Sequence, residues 1–459
     1  MSELQKGWIP IKLGEVAELK YGKALPAASR DGGEFPVYGS NGIVGHHSTW
    51  LTPAPTIVVG RKGSVGEVCF SDKNCSPIDT TYYIDSFDFF EPKFCFYLLK
   101  TLRLGDLNKS TAIPGLNRQD AYDLEISLPP LAEQTRIAAK LDELLAQVDT
   151  LKARIDGIPA LLKRFRQSVL AAAVSGRLTE EWRTENSGCD VAEQINTILS
   201  DRLLFSKSKK APATHLKSEE YEIPKTWRWV SLDSLSAKIV DGTHHTPTYV
   251  ESGVPFISVK DIRNGVIDFS STKFISTEEH VELCKRCRPQ KGDLLITKSG
   301  TIGRTALINT EVEFSLFVSV ALIKPVSILV NMKFIDIALM KWVNEIDISS
   351  RIVGSAIKNL HLTDMKVLAI PFAPLEEQTE IVRRVEQLFA FADQLEARVK
   401  AAQVRIDRLT QSILAKAFRG ELVPQDPNDE PASVLLERIK AQRAAVPKAR
   451  RGRRAATLG

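Results

Sequence analysis

Two short glycine-containing loops hold the residues that are best suited to binding an anion. The first spans Gly60–Gly66 and the second Thr297–Gly303, and each combines cations, hydroxyl groups and glycines. Cations with neighbouring hydroxyls and a closely approaching backbone suit a phosphate group. The candidate phosphate ligands are Arg61, Lys62 and Ser64 in the first loop and Lys298, Ser299 and Thr301 in the second. An ordinary glycine turn with solvated charges explains the same residues equally well, so both interpretations stay open.

Two segments further along the chain carry side chains that can read bases. Arginine can bond guanine and asparagine can bond adenine, each through two hydrogen bonds. Asn117 and Arg118 offer this chemistry in the first segment, and Lys358, Asn359 and His361 lie in the second. The alternative is that both segments are structural loops leading into the element that follows.

A third group of candidates for contact with a nucleic acid lies in polar, turn-rich segments. Its members are Tyr21, Lys23, Ser40, Asn41 and His46, and then Thr243, His244, His245, Tyr249 and Lys260. The adjacent pair His244-His245 could also bind a metal, but a nucleic-acid contact or a capped loop is the favoured interpretation. The lone CxxC of Cys284–Cys287 lacks the second pair that a zinc site requires, so we predict no metal site.

The sequence contains no convincing catalytic constellation. An adenine methyltransferase would carry an Asn/Asp-Pro-Pro-aromatic tetrapeptide, whereas the two prolines within Leu128–Leu131 have the wrong flanks. The loop Gly60–Gly66 has neither the Rossmann spacing nor the Gly-Lys-Ser/Thr of a P-loop. A metal-dependent nuclease built on Asp79 or Asp85 is disfavoured, because Pro92 interrupts the strand that should present the acidic pair. We therefore expect no catalytic activity in this chain.

The elements that must position these candidates occur twice. Pro130–Thr135 returns as Pro374–Thr379, at an offset of 244 residues, and the same offset relates Gln167–Ala171 to Gln411–Ala415. An offset held over this length without a gap indicates one structural unit used twice. Two such units favour a pseudo-two-fold molecule, which suits a partner with its own dyad, such as duplex DNA.

Each repeated segment has the apolar pattern of a coiled coil. Apolar residues alternate at spacings of four and three, the period of a coiled-coil seam, and at about 1.5 Å per residue each seam predicts a rod of roughly 48 Å. Pro159 predicts a kink in the first rod, and no break, because the pattern resumes in phase beyond it. The predicted seam residues are Ile137, Leu141, Leu144, Val148, Leu151, Ile155, Ile158, Leu162, Phe165 and Val169, and then Ile381, Val385, Leu388, Ala392, Leu395, Val399, Ala402, Ile406, Leu409 and Ile413.

The regions before the rods correspond more loosely. Shared markers recur at offsets of 219, 237 and 244 residues, and between the markers the sequences diverge. Short β-rich runs such as Thr56–Val59 alternate with glycine-bounded turns and short helices. Each region is therefore predicted to be a mixed α/β domain with a twisted sheet.

Composition and charge set the broad class of the protein. A chain of 459 residues with 43% hydrophobic and 25% charged content is globular and long enough for several domains. The net charge is +5, but seven cations between Lys440 and Arg454 account for it, and without them the charge is −2. The six scattered cysteines, and the lack of a signal-peptide core or an apolar run of membrane length, predict a cytoplasmic protein with no membrane partner.

The arrangement of these parts resembles the specificity subunit of a type I restriction-modification enzyme. In that family each of two helical regions opens on a Pro-Leu-x-Glu-Gln signature, which stands here as Pro130–Gln134 and Pro374–Gln378. The resemblance implies two target-recognition domains that each read one half of a split DNA sequence, with two antiparallel helices as the spacer. It also implies two methyltransferase subunits and motor-nuclease subunits as partners. S-adenosylmethionine, ATP and Mg²⁺ would belong to those partners, and no cofactor to this chain.

The predicted fold class is α+β, with two mixed α/β target-recognition domains joined by two long helices packed as an antiparallel coiled coil. The expected boundaries are domain one at 1–130, helical spacer one at 131–184, a linker at 185–220, domain two at 221–373, helical spacer two at 374–425 and a basic, disordered tail at 426–459. The different sequences of the two domains predict an asymmetric bipartite DNA target, with the rods setting its unread spacer. The alternative is a coiled-coil adaptor whose two modules do not bind DNA.

Overall fold

The computed structural model describes residues 5–108, 114–186, 191–205, 211–217, 221–263, 265–345 and 360–445. The chain forms two compact units, of which the first contains residues 1–156 and 400–459 and the second contains residues 157–399. This division cuts through both long helices and does not follow the predicted domain boundaries. Each unit therefore contains one α/β module together with part of each rod.

The first module is built from short strands that surround a buried central pair. Its strands are β1 (Ile9–Lys12), β2 (Lys20–Tyr21), β3 (Phe35–Gly39), β4 (Gly42–His47), β5 (Thr56–Gly60), β6 (Val68–Ser71), β7 (Ser76–Pro77), β8 (Thr81–Ile84) and β9 (Glu125–Leu128). The main sheet is antiparallel in the order β2-β8-β5-β6, and a second sheet has the order β4-β3-β7 with β3 parallel to β7. Strand β1 pairs with β9. The continuous β-branched run of β5 is buried along its whole length, as expected for a central strand.

The second module repeats this topology. Its strands are β10 (Arg228–Ser231), β11 (Ser236–Asp241), β12 (Tyr249–Val250), β13 (Val254–Ile257), β14 (Ile262–Arg263), β15 (Val266–Ile267), β16 (Lys273–Ile275), β17 (Leu294–Thr297), β18 (Thr305–Leu307), β19 (Ser315–Leu316), β20 (Val320–Pro325) and β21 (Ala369–Phe372). The order β11-β20-β17-β18 matches the main sheet of the first module, and β13 runs parallel to β19 as β3 does to β7. The predicted mixed α/β modules are confirmed.

The helices connect the strands and form the rods. They are α1 (Leu13–Val16), α2 (Pro92–Thr101), α3 (Arg118–Tyr122), α4 (Leu131–Val174), α5 (Glu180–Glu185), α6 (Val191–Phe205), α7 (Thr277–Cys284), α8 (Met332–Glu345), α9 (Leu362–Lys366), α10 (Leu375–Phe418) and α11 (Ala432–Ala445). The rods α4 and α10 are each 44 residues long, and α4 continues through Pro159 without a break. Among the described residues, no helix is long and apolar enough to cross a membrane.

Within each unit the two rod segments pack antiparallel. In the first unit Lys152 pairs with Asp407 at 3.5 Å, and four residues further along α4 the side chain of Asp156 accepts a bond from Gln403 at 2.8 Å. Position therefore rises along one helix as it falls along the other. In the second unit Arg166 of α4 pairs with Asp393 of α10 at 2.6 Å, and beyond the end of α4 the carbonyl of Leu178 accepts from Arg384 of α10 at 2.8 Å, which gives the same direction. The antiparallel coiled coil predicted from the sequence is confirmed within each unit.

Most of the predicted seam is buried, but two of its leucines are not. Leu151 and Leu409 are each 47% exposed, so their assignment to the buried seam was wrong. Near them the two helices border an open groove of about 620 Å³, whose lining includes the polar side chains of Lys152, Asp407 and Arg408. The heptad pattern alone could not reveal this local opening, because it describes each helix without its partner.

The glutamine of each Pro-Leu-x-Glu-Gln signature clamps a rod to its own module. Gln134 is fully buried, and its amide donates to the carbonyls of Phe89 and Pro129, both at 3.0 Å. Its carbonyl accepts from the backbone amide of Glu91 at 2.9 Å, directly before α2. In the second unit the same bonds join Gln378 to the carbonyls of Leu329 (3.3 Å) and Ala373 (2.8 Å) and to the amide of Asn331 (2.9 Å).

The glutamate of each signature binds a tryptophan at the start of the module. Trp8 donates to Glu133 at 3.0 Å, and Trp227 donates to Glu377 at 2.7 Å. Glu377 also accepts from Thr179 at 2.7 Å and is paired with Arg183.

Glu133 lacks comparable partners at the start of α4. At the same offset of 244, the positions of Thr179 and Arg183 are taken by Val423 and Pro427, which offer no donor side chain. The Oε1 atom of Glu133 is buried without a hydrogen-bond partner among the described residues. Burial raises the pKa of Glu133 above its ordinary value, and the bond from Trp8 and the nearby Arg136 and Gln425 offset this effect only in part.

The predicted disordered tail at 426–459 was wrong for its first part. Helix α11 buries Ala432, Leu435 and Ile439 in the core of the first unit, and the amide of Ala432 donates to the carbonyl of Gly7 at 3.2 Å. The apolar side chains recur at spacings of three and four, a helical pattern that the basic composition obscured. The rest of the tail, from residue 446 onward, lies outside the described residues.

The predicted linker at 185–220 likewise contains ordered structure. Helix α6 buries Val191 and Ile198 in the core of the second unit. The lysine-rich centre of the linker, residues 206–210, lies outside the described residues. The segments that follow the two rods thus each contribute a helix to a module core.

The unequal partners of the two signature glutamates give a matched pair of variants. We expect Glu377→Gln to lower the free energy of unfolding by about 2–3 kcal/mol, because it removes a charge-assisted bond and leaves Arg183 without its carboxylate. Glu133→Gln keeps an acceptor for Trp8 and removes a poorly compensated buried charge, so its stability at pH 7 should equal or exceed that of the wild type. Denaturant unfolding of both variants measures the difference.

The pH dependence supplies the control for this prediction. Because the folded-state pKa of Glu133 is raised, its ionisation opposes folding, and the folded state gains stability as the pH falls through that pKa. The Glu133→Gln variant should lack this gain. Equal losses of stability in the two variants at pH 7 would contradict the account.

Candidate nucleic-acid interface

The two glycine loops share one backbone conformation. The amide of Gly66 donates to the carbonyl of Gly60 at 2.8 Å, and the amide of Gly303 donates to the carbonyl of Thr297 at 2.8 Å. The φ angles are 80° and 79° at Gly63 and Gly66, and 71° and 82° at Gly300 and Gly303. These angles favour glycine, so the turn geometry accounts for the glycines. It does not account for the cationic and hydroxyl side chains between them.

In the first module the loop meets two other candidate segments. A Cβ atom added to Gly63 would lie 3.3 Å from the hydroxyl of Ser40, at the tip of the β3–β4 hairpin. The carbonyl of Arg61 accepts from the amide of Leu116 at 2.9 Å, just before α3. The structure therefore brings together most of the candidates predicted in this module, namely Tyr21, Ser40, Asn41, Arg61, Lys62, Ser64, Asn117 and Arg118.

Two guanidinium groups lie against one exposed tyrosine at this site. The centre of the Arg61 guanidinium is 5.4 Å from the ring centroid of Tyr21, and that of Arg118 is 5.1 Å from it. Tyr21 is 52% exposed, and its ring packs edge-on against Tyr82 at 5.0 Å. Burial raises the pKa of Tyr82 to about 12, and its hydroxyl donates to the carbonyl of Leu116 at 3.1 Å. These contacts form a cationic and aromatic surface.

Other candidates of the first module have local structural roles or stand apart. The side-chain oxygen of Asn117 caps α3 by accepting from the amide of Gln119 at 2.9 Å, which favours the structural alternative for this residue. Lys23 and His46 are exposed. Lys23 follows the strand of Tyr21, and His46 lies on β4.

In the second module an acidic residue takes the place of Tyr21. Tyr21 is paired with Tyr82 across the main sheet, and Asp241 is paired with Ala321 at the same point of the second sheet. The residues that follow, Gly22 and Gly242, each pack so tightly that an added Cβ would lie 2.1 Å and 1.9 Å from a backbone oxygen. The backbone frame is the same, and the functional side chain differs.

Lys298 occupies the position of Arg61 but is buried. It is 5% exposed, and its ammonium group donates to Asp241 at 2.5 Å. The prediction that Lys298 contacts a phosphate is wrong in this structure, because a buried acid at the adjacent strand end draws the lysine inward. Burial acts to raise the pKa of Asp241, yet the bond from Lys298 leaves that pKa lowered.

The two histidines of the second module take part in separate contacts. His244 lies 3.3 Å from Asp241, and His245 bonds the hydroxyl of Thr243 at 2.7 Å. Thr243 is buried and serves this bond, so its prediction as a DNA contact is not supported. Within the described ranges no group of histidine, cysteine or acidic residues is placed to hold a metal.

The remaining candidates of the second module differ in accessibility. Lys260, Thr301 and His361 are exposed, Ser299 is half-buried, and Tyr249 is exposed beneath the ammonium group of Lys273 at 4.0 Å. Lys358 and Asn359 lie outside the described residues.

Comparison with known proteins places the chain in a family. The family model for the type I restriction modification DNA specificity domain matches residues 5–160 and 224–403. The chain belongs to this family of type I specificity proteins. It is 30% identical over 96% of its length to the type I restriction enzyme EcoDI specificity subunit of Escherichia coli, of which 97% is covered. Over 73% of its length it is 38% identical to the EcoBI specificity subunit of Escherichia coli, of which 68% is covered.

Solved structures agree at the level of the fold. The HsdS subunit from Thermoanaerobacter tengcongensis matches 92% of this chain with a TM-score of 0.52 at 21% identity, and 98% of that chain is covered. A chain from a structure of assembly and conformational transition in the type I R-M system matches with a TM-score of 0.64 at 19% identity, covering 92% of this chain and all of that one. The specificity-subunit fold is therefore present here.

This specificity protein has further cationic residues that the sequence interpretation missed. Arg263 and Arg304 join the predicted Lys260 in lining a cleft of about 740 Å³ in the second module, together with glycine, threonine and methionine. Among the described residues, no acidic side chain lines this cleft. Arg286 lies beside Asp241 at 2.6 Å. Arg304 directly follows Gly303, and Arg263 lies two residues before Gly265. This proximity to a glycine turn was the sequence signal that could have identified both residues. Arg286 had none, because only the fold brings it to Asp241.

The buried Asp241–Lys298 pair gives a test of this site. Asp241→Asn should lower the stability of the second unit by about 3–5 kcal/mol, because it leaves the buried Lys298 without its carboxylate. The double change Asp241→Leu with Lys298→Met should restore most of that loss, since both buried charges are then absent. Thermal or denaturant unfolding measures both variants, and equal losses in the single and double variants would contradict a buried pair.

Proposed function

We propose that this chain is the DNA sequence-specificity subunit of a type I restriction-modification complex, in which each module reads one half of an asymmetric bipartite target. The observation that carries the proposal is the pair of equivalent loops with different side chains around them. The half-buried Arg61 and the exposed Tyr21 form a cationic and aromatic surface in the first module. Asp241 and Lys298 form a buried ion pair at the same place in the second.

Sequence readout requires a constant frame that holds variable groups. Glycine loops with identical hydrogen bonds place the variable side chains at the same point of each module. Arginine can bond the two acceptors on the major-groove edge of guanine, and cations in an open cleft suit the phosphate backbone. The cleft of Lys260, Arg263 and Arg304 would supply the second kind of contact.

We assign the rods two roles, as a spacer and as the docking surface for two methyltransferase subunits. The antiparallel packing within each unit supports the spacer role, because a coiled coil is stiff along its axis. Catalysis belongs to the partner subunits in this proposal. S-adenosylmethionine, ATP and Mg²⁺ would be bound by the methyltransferase and motor-nuclease subunits, and the complex would act on DNA in the cytoplasm.

A coiled-coil adaptor with modules that bind no DNA is the competing function. The open cationic cleft argues against it, since its lining matches a polyanion. A complex of this chain with its methyltransferase subunits should methylate adenines in one bipartite sequence. Methylation without any sequence preference would favour the adaptor.

Lengthening both rods tests the spacer role in the same assay. One heptad added to α4 between Val148 and Ile155, together with one added to α10 between Val399 and Ile406, extends the coil by about 10 Å. Because B-DNA rises about 3.4 Å per base pair, the unread spacer should grow by about three base pairs. Mapping of methylated adenines should show both half-sites unchanged. Altered half-sites with an unchanged spacer would overturn the spacer role.

A further inference from the structure

Helix α7 is an addition that distinguishes the second module from the first. It lies between β16 and β17, whereas the first module passes from β4 to β5 through residues 48–55, where no helix forms. The chain leaves α7 through Lys285 and Arg286. The amide of Arg286 donates to the carbonyl of Leu283 at 3.1 Å, and Cys287 is buried beside it.

The side chain of Arg286 is aligned by a buried acid. Its Nη2 atom donates to Asp241 at 2.6 Å and lies 3.3 Å from the ring of His244. Asp241 has a 4% exposed side chain, whereas that of Arg286 is 54% exposed. One end of the guanidinium is thus fixed to the protein, while the rest of the group faces outward.

The contact with Asp241 does not neutralise the charge of Arg286. Asp241 already neutralises Lys298 through its other carboxylate oxygen at 2.5 Å, so the cluster of one acid and two cations keeps a positive charge. Among the described residues, the side chain of Arg286 forms hydrogen bonds only through Nη2. Nη2 carries a second hydrogen and Nη1 carries two. When His244 donates its Nε2 hydrogen to Asp241, the edge formed by Nη1 and Nη2 therefore remains available as a paired donor.

We propose that Arg286, aligned by Asp241, reads a guanine in the half-site of the second module. This inference rests on the proposed function. Guanine presents two acceptors, O6 and N7, on its major-groove edge, and a guanidinium held in one orientation can bond both. A guanidinium whose orientation is fixed by a buried carboxylate is already aligned for such paired bonds.

Arg288 supplies a matched control two residues away. Its side chain is 62% exposed, and among the described residues its ion pair is with the exposed Glu313, at 3.6 Å. It carries the same charge near the same helix without a buried partner. Loss of Arg288 should therefore leave base preference unchanged.

The test uses the assembled complex with Arg286→Gln, Arg286→Lys and Arg288→Gln, and methylated adenines are mapped over random DNA. We expect Arg286→Gln to reduce discrimination at a single guanine position of one half-site by roughly 10- to 100-fold, the range for one bidentate contact. The other half-site and the spacer should stay the same. Arg286→Lys should not restore the preference, because a lysine cannot make the paired bonds.

Three results would overturn the inference. They are unchanged base preferences with Arg286→Gln, full rescue by Arg286→Lys, and a uniform loss across all sequences with a weaker salt dependence, which marks a phosphate contact. Melting temperatures of the variants exclude misfolding as the cause. If the wild-type complex itself methylates no bipartite sequence, the proposed function fails, and that outcome is distinct from failure at Arg286 alone.

Discussion

The buried glutamine at the start of each rod is the contact on which the rest of the structure depends. Gln134 and Gln378 each use both ends of their amide to join the first turn of a long helix to the loop that precedes a module helix. An amide buried in this way must be fully bonded, so the geometry admits little variation. The neighbouring glutamate extends the clamp to a tryptophan at the other end of the module. Each module is thereby held at a defined angle to its own rod.

With the frame fixed in this way, sequence difference is confined to a small region of each module. The glycine turn, the tight approach at Gly22 and Gly242, and the strand order are shared. What changes is the chemistry around the turn, from the open Arg61–Tyr21 surface to the buried Asp241–Lys298 pair. The added helix α7 then supplies Arg286 to the second module. The two modules share a backbone frame and differ in these side chains, which explains how one chain can contain two modules with different specificities.

The structural features that depend on periodicity and repetition could be predicted from the sequence. The two rods followed from apolar spacing, and the mixed modules and equivalent glycine loops followed from β-rich runs and repeated motifs. The antiparallel packing of the rods followed from the family resemblance. The burial of individual side chains could not be predicted in this way. Lys298 was expected at the surface, because its acidic partner Asp241 is 57 residues away in the chain. The segment of helix α11 was predicted to be disordered, because its basic composition obscured three apolar residues at helical spacing. Arg286 was missed because only the tertiary fold places it near Asp241.

A module exchange tests the central claim most directly. Replacing Trp227–Phe372 with Trp8–Leu128 gives a chain with the first module in both places, joined at the strand pairs β1–β9 and β10–β21 that close each module. Methylated adenines are then mapped for the assembled complex. If each module reads its own half-site within a constant frame, the target becomes symmetric, with two copies of the first half-site and the original spacer. A target whose two halves still differ would contradict the account.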